Sequence, residues 1–427
     1  MNFEIADRAP LLDEPVQARI VGARPGALVT VTATWKLDER EFRSRGEFVA
    51  DQRGTVRPAA QPSQAGSYVG VEPSGLWWSA RCAGEMPFAA GLAPVATQLR
   101  AAVGDDVAAT VIRRRQLAAG ASVCRLDAAG LVGVSFRPAG RGPFSAVLVL
   151  GGSGGGLRGA DRAAALLASR GVAALALAYF GLAGLPADLE RIPLEYVQRA
   201  SRWLLGQPYV AGPRIGLMGA SRGAELALLA GAQFPEVGAV IAGAPSAVVW
   251  PGLAAPGAGS VTAWTLGGRP VPALALRAAG AWAQAVLHEP VVTAPAYRWE
   301  LRDRAAVAAA TIAVERTSGP IMLLSGQADA VWPSAELADI ALQRAARGRF
   351  GHGIEHIRYR DAGHLCTAPP GLPAPLVSEN PASGRWHAHG GTRSGNAAAQ
   401  ADAWLHILSF FRRSLPVPDA AVQAPSA

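Results

Sequence analysis

The sequence predicts an α/β protein in which an all-β sandwich precedes a larger domain built on a parallel sheet. Three observations carry that reading. Near the N-terminus Val29, Val31, Ala33 and Trp35 alternate with Thr30, Thr32 and Thr34, the two-residue period of a strand buried on one face. Beyond about residue 143 short continuous apolar runs alternate with helical stretches, as parallel strands covered on both faces require. The third is Gly219-Ala220-Ser221-Arg222-Gly223, placed where a strand gives way to a helix.

Length and composition set the outer bounds. The 427 residues exceed one compact core. The expected division is a β-sandwich over 1–125, an α/β domain over 126–414 and a disordered tail over 415–427. Half the residues are apolar and 17% are charged, which excludes a disordered chain. Glycine is plentiful but follows no G-X-Y period. Cys82, Cys124 and Cys366 are far apart and lack CxxC spacing, so they form neither a zinc knuckle nor a disulfide framework and suit a reducing compartment.

The formal charge is +8, and every basic residue except Lys36 is arginine. These arginines are scattered, and the densest run, Arg113 to Arg115, is short. That argues against nucleic acid and leaves an anionic small molecule as the partner a basic surface would attract. The N-terminus has no apolar core of a secretory signal. The apolar stretch from Gly171 to Leu185 is too short and too glycine-broken to span a bilayer. The terminal Pro-Ser-Ala is no peroxisomal address. A soluble cytoplasmic enzyme without stable membrane insertion is expected, its oligomeric state open.

Between Val16 and Ser79 the turn signals Arg24-Pro25-Gly26, Asp51 to Gly54, Gln64-Ala65-Gly66 and Pro73-Ser74-Gly75 recur at the short intervals of a sandwich. The apolar run from Phe144 to Leu150 reads as the first strand of the sheet. A helix over 160–170, a strand over 172–180 and a helix over 194–205 follow. Next come a strand over 214–218, a helix over 224–233 and a strand over 237–242. Residues 250 to about 310 break the rhythm, with prolines at 251, 256, 270, 272, 290 and 295 around one helix-like stretch, Leu274 to Leu287. They read as an insertion over the mouth of the sheet. Alternation resumes with a strand over 321–324, a helix over 334–347, a strand over 355–359 and a closing helix over 396–413.

The chemistry gathers at the strand ends. A G-x-S-x-G turn is so tight that side chains flanking the serine would strike backbone, which explains both glycines. The plain alternative is a serine in an ordinary strand-to-helix turn. A serine hydroxyl needs a base, and the base an orienting acid. Asp329 lies just past the strand over 321–324 and His364 just past the strand over 355–359, so both fall on the rim where Ser221 sits. Asp361, three residues before His364, is the competing orienter. His352 and His356 flank a strand start, His288 is in the insertion and His406 in the closing helix. His387 and His389 form an HxH pair without a third ligand and read as a solvated loop. No metal and no cofactor are expected.

The loop Gly151 to Gly156 has three readings. It lacks the Gly-Lys-Ser/Thr ending of a phosphate loop. Gly154, Gly156 and Gly159 satisfy G-x-G-x-x-G, yet the next strand ends Ala178-Tyr179-Phe180-Gly181 with no acid for a ribose hydroxyl. The third reading fits Ser221: amides at Gly152 and Ser153, with that of Arg222, stabilise a developing oxyanion.

Taken together the residues resemble the two-domain acyl-CoA thioesterases and bile-acid-CoA:amino-acid N-acyltransferases. The N-terminal matches are Asp13-Glu14-Pro15-Val16, Ser67 to Val71 and Gly75-Leu76-Trp77-Trp78-Ser79. The C-terminal ones are the Gly-rich loop, Gly219 to Leu226, Gly326 to Asp329 with Trp332, Gly363-His364 and Ala399 to Trp404. The resemblance implies an α/β-hydrolase domain behind the sandwich and a triad of Ser221, Asp329 and His364. It also implies acyl-CoA as substrate and hydrolysis to free acid and coenzyme A. N-acyltransferase members of the family typically carry cysteine at the nucleophile position, and serine here inclines the reading to hydrolysis. Transfer to an amino acid, a general serine esterase and a non-catalytic binding module stay as alternatives. Leu157-Arg158-Gly159, Leu365-Cys366-Thr367 and residues 250–310 depart from the family pattern, so acyl chain length does not carry over.

Overall fold

In the computed structural model the described residues are 1–37, 39–83, 91–128, 130–253, 261–277, 287, 289–373, 375–380 and 384–415. His288, residues 278–286 of the expected helix and residues 416–427 of the expected tail lie outside them. Leu415, expected to begin the tail, is instead buried at 8% exposure, its amide bonded to the Phe411 carbonyl. The chain divides into two units, Met1–Leu117 with Pro369–Pro375, and Ala118–Ala368 with Leu376–Ala427.

In the first unit β1 (Asn2–Ile5) and β2 (Ala18–Val21) make an antiparallel ribbon. Six further strands follow: β3 (Leu28–Leu37), β4 (Arg40–Val49), β5 (Ala65–Gly66), β6 (Arg81–Cys82), β7 (Val95–Val103) and β8 (Asp106–Arg114). They form an antiparallel sheet in the order β5-β4-β3-β7-β8, with β6 also on β4. The alternation seen in the sequence is that of β3, whose Val29, Val31, Ala33 and Trp35 are all buried. Trp35 stacks on its cross-strand partner Phe42 at 5.8 Å. Phe3 and Ala18 of the ribbon, with Leu76 and Trp77 of the short helix α1 (Gly75–Trp78), line one narrow cleft with Val31 and Leu99 of the sheet. The segment Pro369–Pro375 is held in this unit by Arg114, buried over the Trp77 ring and donating to the Gly371 carbonyl at 2.7 Å.

The second unit is built on eight strands: β9 (Ser122–Ala128), β10 (Leu131–Arg137), β11 (Ala146–Leu150), β12 (Ala173–Ala178), β14 (Ile215–Ala220), β15 (Val237–Gly243), β18 (Ile321–Gly326) and β19 (Ile354–Tyr359). Their order is β9-β10-β12-β11-β14-β15-β18-β19. Only β10 runs against its neighbours; the remaining pairs are parallel. Helices α2 (Ala160–Ser169), α3 (Leu194–Leu205) and α4 (Arg222–Gln233) make the crossovers among β11, β12, β14 and β15. This is the α/β-hydrolase arrangement. Strands β11, β12 and β15 are buried at every position, which is why they read as unbroken apolar runs.

Several expectations need correcting. Along the chain the strand at 146–150 is the third of this sheet and not the first, because the hairpin β9–β10 precedes it. Its outer strand β9 is the sheet edge, mixing Arg125 with apolar residues and leaving Val123 48% exposed. Helix α4 starts at Arg222 and not at 224, since the chain turns on the single residue Ser221. The insertion holds β16 (Trp264–Leu266) and β17 (Arg269–Pro270), which join β13 (Ile192–Pro193) in a small sheet. It also holds two unforeseen helices, α5 (Ala294–Glu300) and α6 (Arg304–Ala310). After β18 come α7 (Ser334–Arg347) and β19. An unforeseen hairpin of β20 (Val377–Asn380) and β21 (Arg385–Ala388) then precedes α8 (Arg393–Ser414), capped by the Thr392 hydroxyl accepting from the Gly395 amide. Among the described residues no helix is long and apolar enough to cross a membrane.

Candidate active site

Strands β12 and β14 lie on opposite sides of β11, so the chain reverses its winding there and the loops after β11 and β14 open a crevice. Ser221 stands at the end of β14 with φ 55° and ψ −122°, a strained backbone for a residue with a side chain. The flanking glycines are required by space. A Cβ at Gly219 would lie 2.0 Å from the Gly223 carbonyl oxygen, and one at Gly223 2.2 Å from that of Gly151. The turn therefore lifts the Ser221 hydroxyl above the strand ends and keeps it there.

The three remote side chains meet. His364 Nε2 lies 2.8 Å from Ser221 Oγ, and His364 Nδ1 lies 2.9 Å from Asp329 Oδ2. The other oxygen of Asp329 accepts the amides of Val331 at 2.9 Å and Trp332 at 3.2 Å. A carboxylate pinned in this way can accept a hydrogen bond from a protonated Nδ1, the tautomer that would present a bare Nε2 to the hydroxyl. Asp361, the competing orienter, is exposed; its backbone carbonyl accepts the Thr392 amide. The edge of the Trp332 ring contacts His364 at 5.7 Å between centroids, and Tyr297 of the insertion packs between Trp332 and Trp250. Through Tyr297 the insertion touches Trp332, which in turn touches His364.

The loops carrying Asp329 and His364 are locked by backbone contacts. The His364 amide donates to the His389 carbonyl at 2.8 Å. Asn396, fully buried on α8, accepts the Gly363 amide at 2.8 Å and donates to the Gly390 carbonyl at 3.1 Å. A Cβ at Gly326, Gly363 or Gly390 would fall within about 2.3 Å of a neighbouring carbonyl oxygen. Sequence reasoning missed His389 and Asn396. The pair His387 and His389 is no solvated loop: His389 is 8% exposed, hydrogen-bonds Ser378 at 2.7 Å and stacks on His364 at 6.3 Å. Burial pushes its pKa down to about 3. Among the described residues no group of three or more His, Cys, Asp or Glu is placed to hold a metal ion. Burial pushes the Cys366 thiol up to about 12, so it stays protonated beside the site.

Gly152 lies against the serine, where a Cβ would stand 3.2 Å from Ser221 Cβ. Ser153 follows in the same loop, half-buried. The Arg222 amide is the first of α4, one of those for which a helix supplies no internal acceptor, and the helix dipole favours negative charge there. The glycine loop after β11 and the first turn of α4 thus both adjoin Ser221. The Arg222 side chain was not foreseen as structural. It is 4% exposed, pairs with the buried Glu225 at 2.8 Å, and donates to the Trp250 and Pro251 carbonyls at 3.0 Å. Glu225 also accepts from the Trp264 indole and the Trp250 amide. Burial raises its carboxyl to about 7 against the opposing pull of Arg222. The i, i+3 spacing was visible in the sequence; its burial depends on tryptophans from distant segments.

Comparison with known proteins agrees along almost the whole chain. Residues 13–146 match the model described as "Acyl-CoA thioester hydrolase/BAAT N-terminal region", and residues 192–416 match "BAAT / Acyl-CoA thioester hydrolase C terminal". The chain is 30% identical over 420 residues to acyl-coenzyme A amino acid N-acyltransferase 1 of Mus musculus, covering 95% of each. It is 30% identical over 424 residues to acyl-coenzyme A thioesterase 6 of the same species, covering 94% of each. With acyl-coenzyme A thioesterase 1 of Rattus norvegicus the identity is 32% over 429 residues, or 97% of this chain and 96% of that one.

Proposed function

The chain belongs to the acyl-CoA thioester hydrolase and bile-acid-CoA:amino-acid N-acyltransferase family, and from that premise we propose that it hydrolyses acyl-CoA thioesters through an acyl-serine intermediate. The single observation that carries the reading is the unbroken chain from Ser221 Oγ through His364 to Asp329, with contacts of 2.8 and 2.9 Å. His364 takes the hydroxyl proton as Ser221 attacks the thioester carbonyl carbon. The resulting oxyanion is held by the amides of Gly152, Ser153 and Arg222, each worth about 3 kcal/mol. The C–S bond then breaks, and His364 returns its proton to the departing coenzyme A thiolate. His364 next deprotonates water, which attacks the ester; the acid leaves and Ser221 regains its proton. Serine supports water as acceptor, because an oxygen ester is less reactive toward amines than a thioester. Acyl-CoA is the partner in this reading, with no cofactor. We place the activity in the cytoplasm, which the three cysteines without disulfide spacing support.

The test is release of free thiol from a panel of acyl-CoAs by wild type and by Ser221→Ala. The variant is expected to lose about 10⁴-fold or more in kcat. Equal turnover by the two proteins discards the mechanism. Acyl-glycine or acyl-taurine as the main product in the presence of those amines would assign transfer instead. Nitrophenyl esters cleaved far faster than acyl-CoAs would assign a general esterase.

A further inference from the structure

We propose that Tyr179 is a positioning residue for the oxyanion site: its hydroxyl fixes the carbonyls of Gly151 and Gly152 and thereby aims the amides that follow them. The proposal rests on the acyl-transfer reading above. Tyr179 comes directly after β12 and is 2% exposed. Its hydroxyl donates to the Gly151 carbonyl at 2.6 Å, with the Gly152 carbonyl at 3.4 Å. Burial raises the phenol pKa, which favours the protonated, donating form.

The effect follows from peptide geometry. In a trans peptide the C=O and the N–H point in opposite directions within one plane. Pinning the Gly151 carbonyl behind the loop turns the Gly152 N–H toward the front, and the weaker 3.4 Å contact to the Gly152 carbonyl biases the Ser153 amide the same way. A run of glycines has no side chains to fix these planes, and the Gly155 amide reaches the Gly152 carbonyl only at 3.5 Å. The Gly151 carbonyl is also penned from the far side, since a Cβ on Gly223 would lie 2.2 Å from it. Loop and helix therefore share one wall.

The phenol is itself held from behind. Its ring packs on Phe180 at 5.2 Å and on Trp264 at 5.8 Å. The Trp264 indole donates to Glu225 at 2.5 Å, and Glu225 pairs with Arg222, whose amide is the opposing donor. Both halves of the oxyanion site thus lean on one buried series of contacts: Tyr179, Trp264, Glu225, Arg222.

Tyr179→Phe removes one oxygen and leaves the ring. The expected result is a kcat lower by about 10- to 100-fold, smaller than or equal to the loss of a direct donor. KM should change less than about twofold and the pH–rate midpoint should not move, because His364 and Asp329 are untouched. Tyr209→Phe, which deletes a phenol contact to Ser135 at 3.3 Å in the same unit, is the control and should keep its kcat. A merely structural Tyr179 would lower the melting temperature and leave kcat per labelled active site unchanged; that outcome overturns the proposal, as does an equal loss in both variants. The rate of Ser221 phosphonylation by a fluorophosphonate gives a second readout, since it too builds negative charge on oxygen. Slowed labelling in Tyr179→Phe, in a protein whose wild type turns over no acyl-CoA, would sink the substrate reading and leave the positioning role standing. Acyl-CoA turnover and labelling at wild-type rates in Tyr179→Phe would do the reverse.

Discussion

The rim of the eight-stranded sheet and the hairpin ends of the N-terminal sheet both depend on glycine, for opposite reasons. At the rim, Gly219, Gly223, Gly326, Gly363 and Gly390 are places where backbone touches backbone, and a methyl group would lie 1.9 to 2.3 Å from a carbonyl oxygen. At Gly26, before β3, and at Gly104, between β7 and β8, a Cβ would meet nothing within 4 Å. There the residue is needed only for its positive φ, 75° and 53°. The N-terminal sheet is held by side chains on one face, and these two turns stand in open solvent, although a Cβ at Gly54 or Gly66 of the same unit would lie 2.1 or 2.4 Å from a carbonyl oxygen. The rim must converge a hydroxyl, an imidazole, a carboxylate and several amides on one point. Loops can approach that closely only where side chains are missing.

The largest consequence is expected at Gly223. Gly223→Ala drives a methyl into the carbonyls of Leu150 and Gly151, at 2.5 and 2.2 Å, and neither can move without disturbing β11 or the glycine loop that follows it. A destabilisation of about 3 kcal/mol or more is expected, together with at least a 100-fold slower phosphonylation of Ser221 in the protein that remains folded. Urea unfolding and labelling kinetics measure the two. A variant that melts and labels like wild type would erase the distinction between the two regions.

A smaller effect separates the regions by pH. The rim buries titratable groups, and His389 is the clearest. Its pKa is held down to about 3 by burial, with His364 and His387 adding to the effect, whereas an unfolded histidine titrates near 6.5. Between those values the unfolded chain binds the extra proton, so folding stability rises with pH across this window and is lost as pH falls through it. The slope from this one residue reaches about 1.4 kcal/mol per pH unit. His389→Gln, which keeps a polar partner for Ser378, should flatten the slope between about pH 4 and pH 6.5 in urea titrations. Identical slopes in the two proteins would show that His389 is not kept neutral by its surroundings.

What could be read in the sequence divides along the same line. The β3 alternation, the unbroken apolar strands and the order Ser221, Asp329, His364 are local patterns, and each records burial or a strand end within a few residues. The steric need for Gly219 and Gly223 follows from the elbow alone. The β9–β10 hairpin could not be read, because an edge pair mixes polar with apolar positions and imitates a loop. His389 and Asn396 act through contacts to Ser378, Gly363 and Gly390 that no period encodes. The Arg222–Glu225 pair shows only its i, i+3 spacing in the sequence; its burial comes from Trp250 and Trp264, contributed by distant segments. Long-range closure, and not local propensity, was the missing information.

The smallest predicted effect tests the comparison from its quiet side. Gly104 is the first residue of a two-residue hairpin closed by Val103 and Asp106, a position where positive φ matches the twist of the flanking strands. Alanine there meets no atom and suffers only the left-handed backbone, about 1 kcal/mol. Asparagine, which tolerates that conformation, should cost less than alanine, and neither should change kcat. An alanine variant destabilised as deeply as Gly223→Ala, or one that slowed Ser221 labelling, would mean that space and not backbone angle governs this turn as well. The contrast between a glycine chosen for its freedom and one chosen for its emptiness would then fail at its simplest instance.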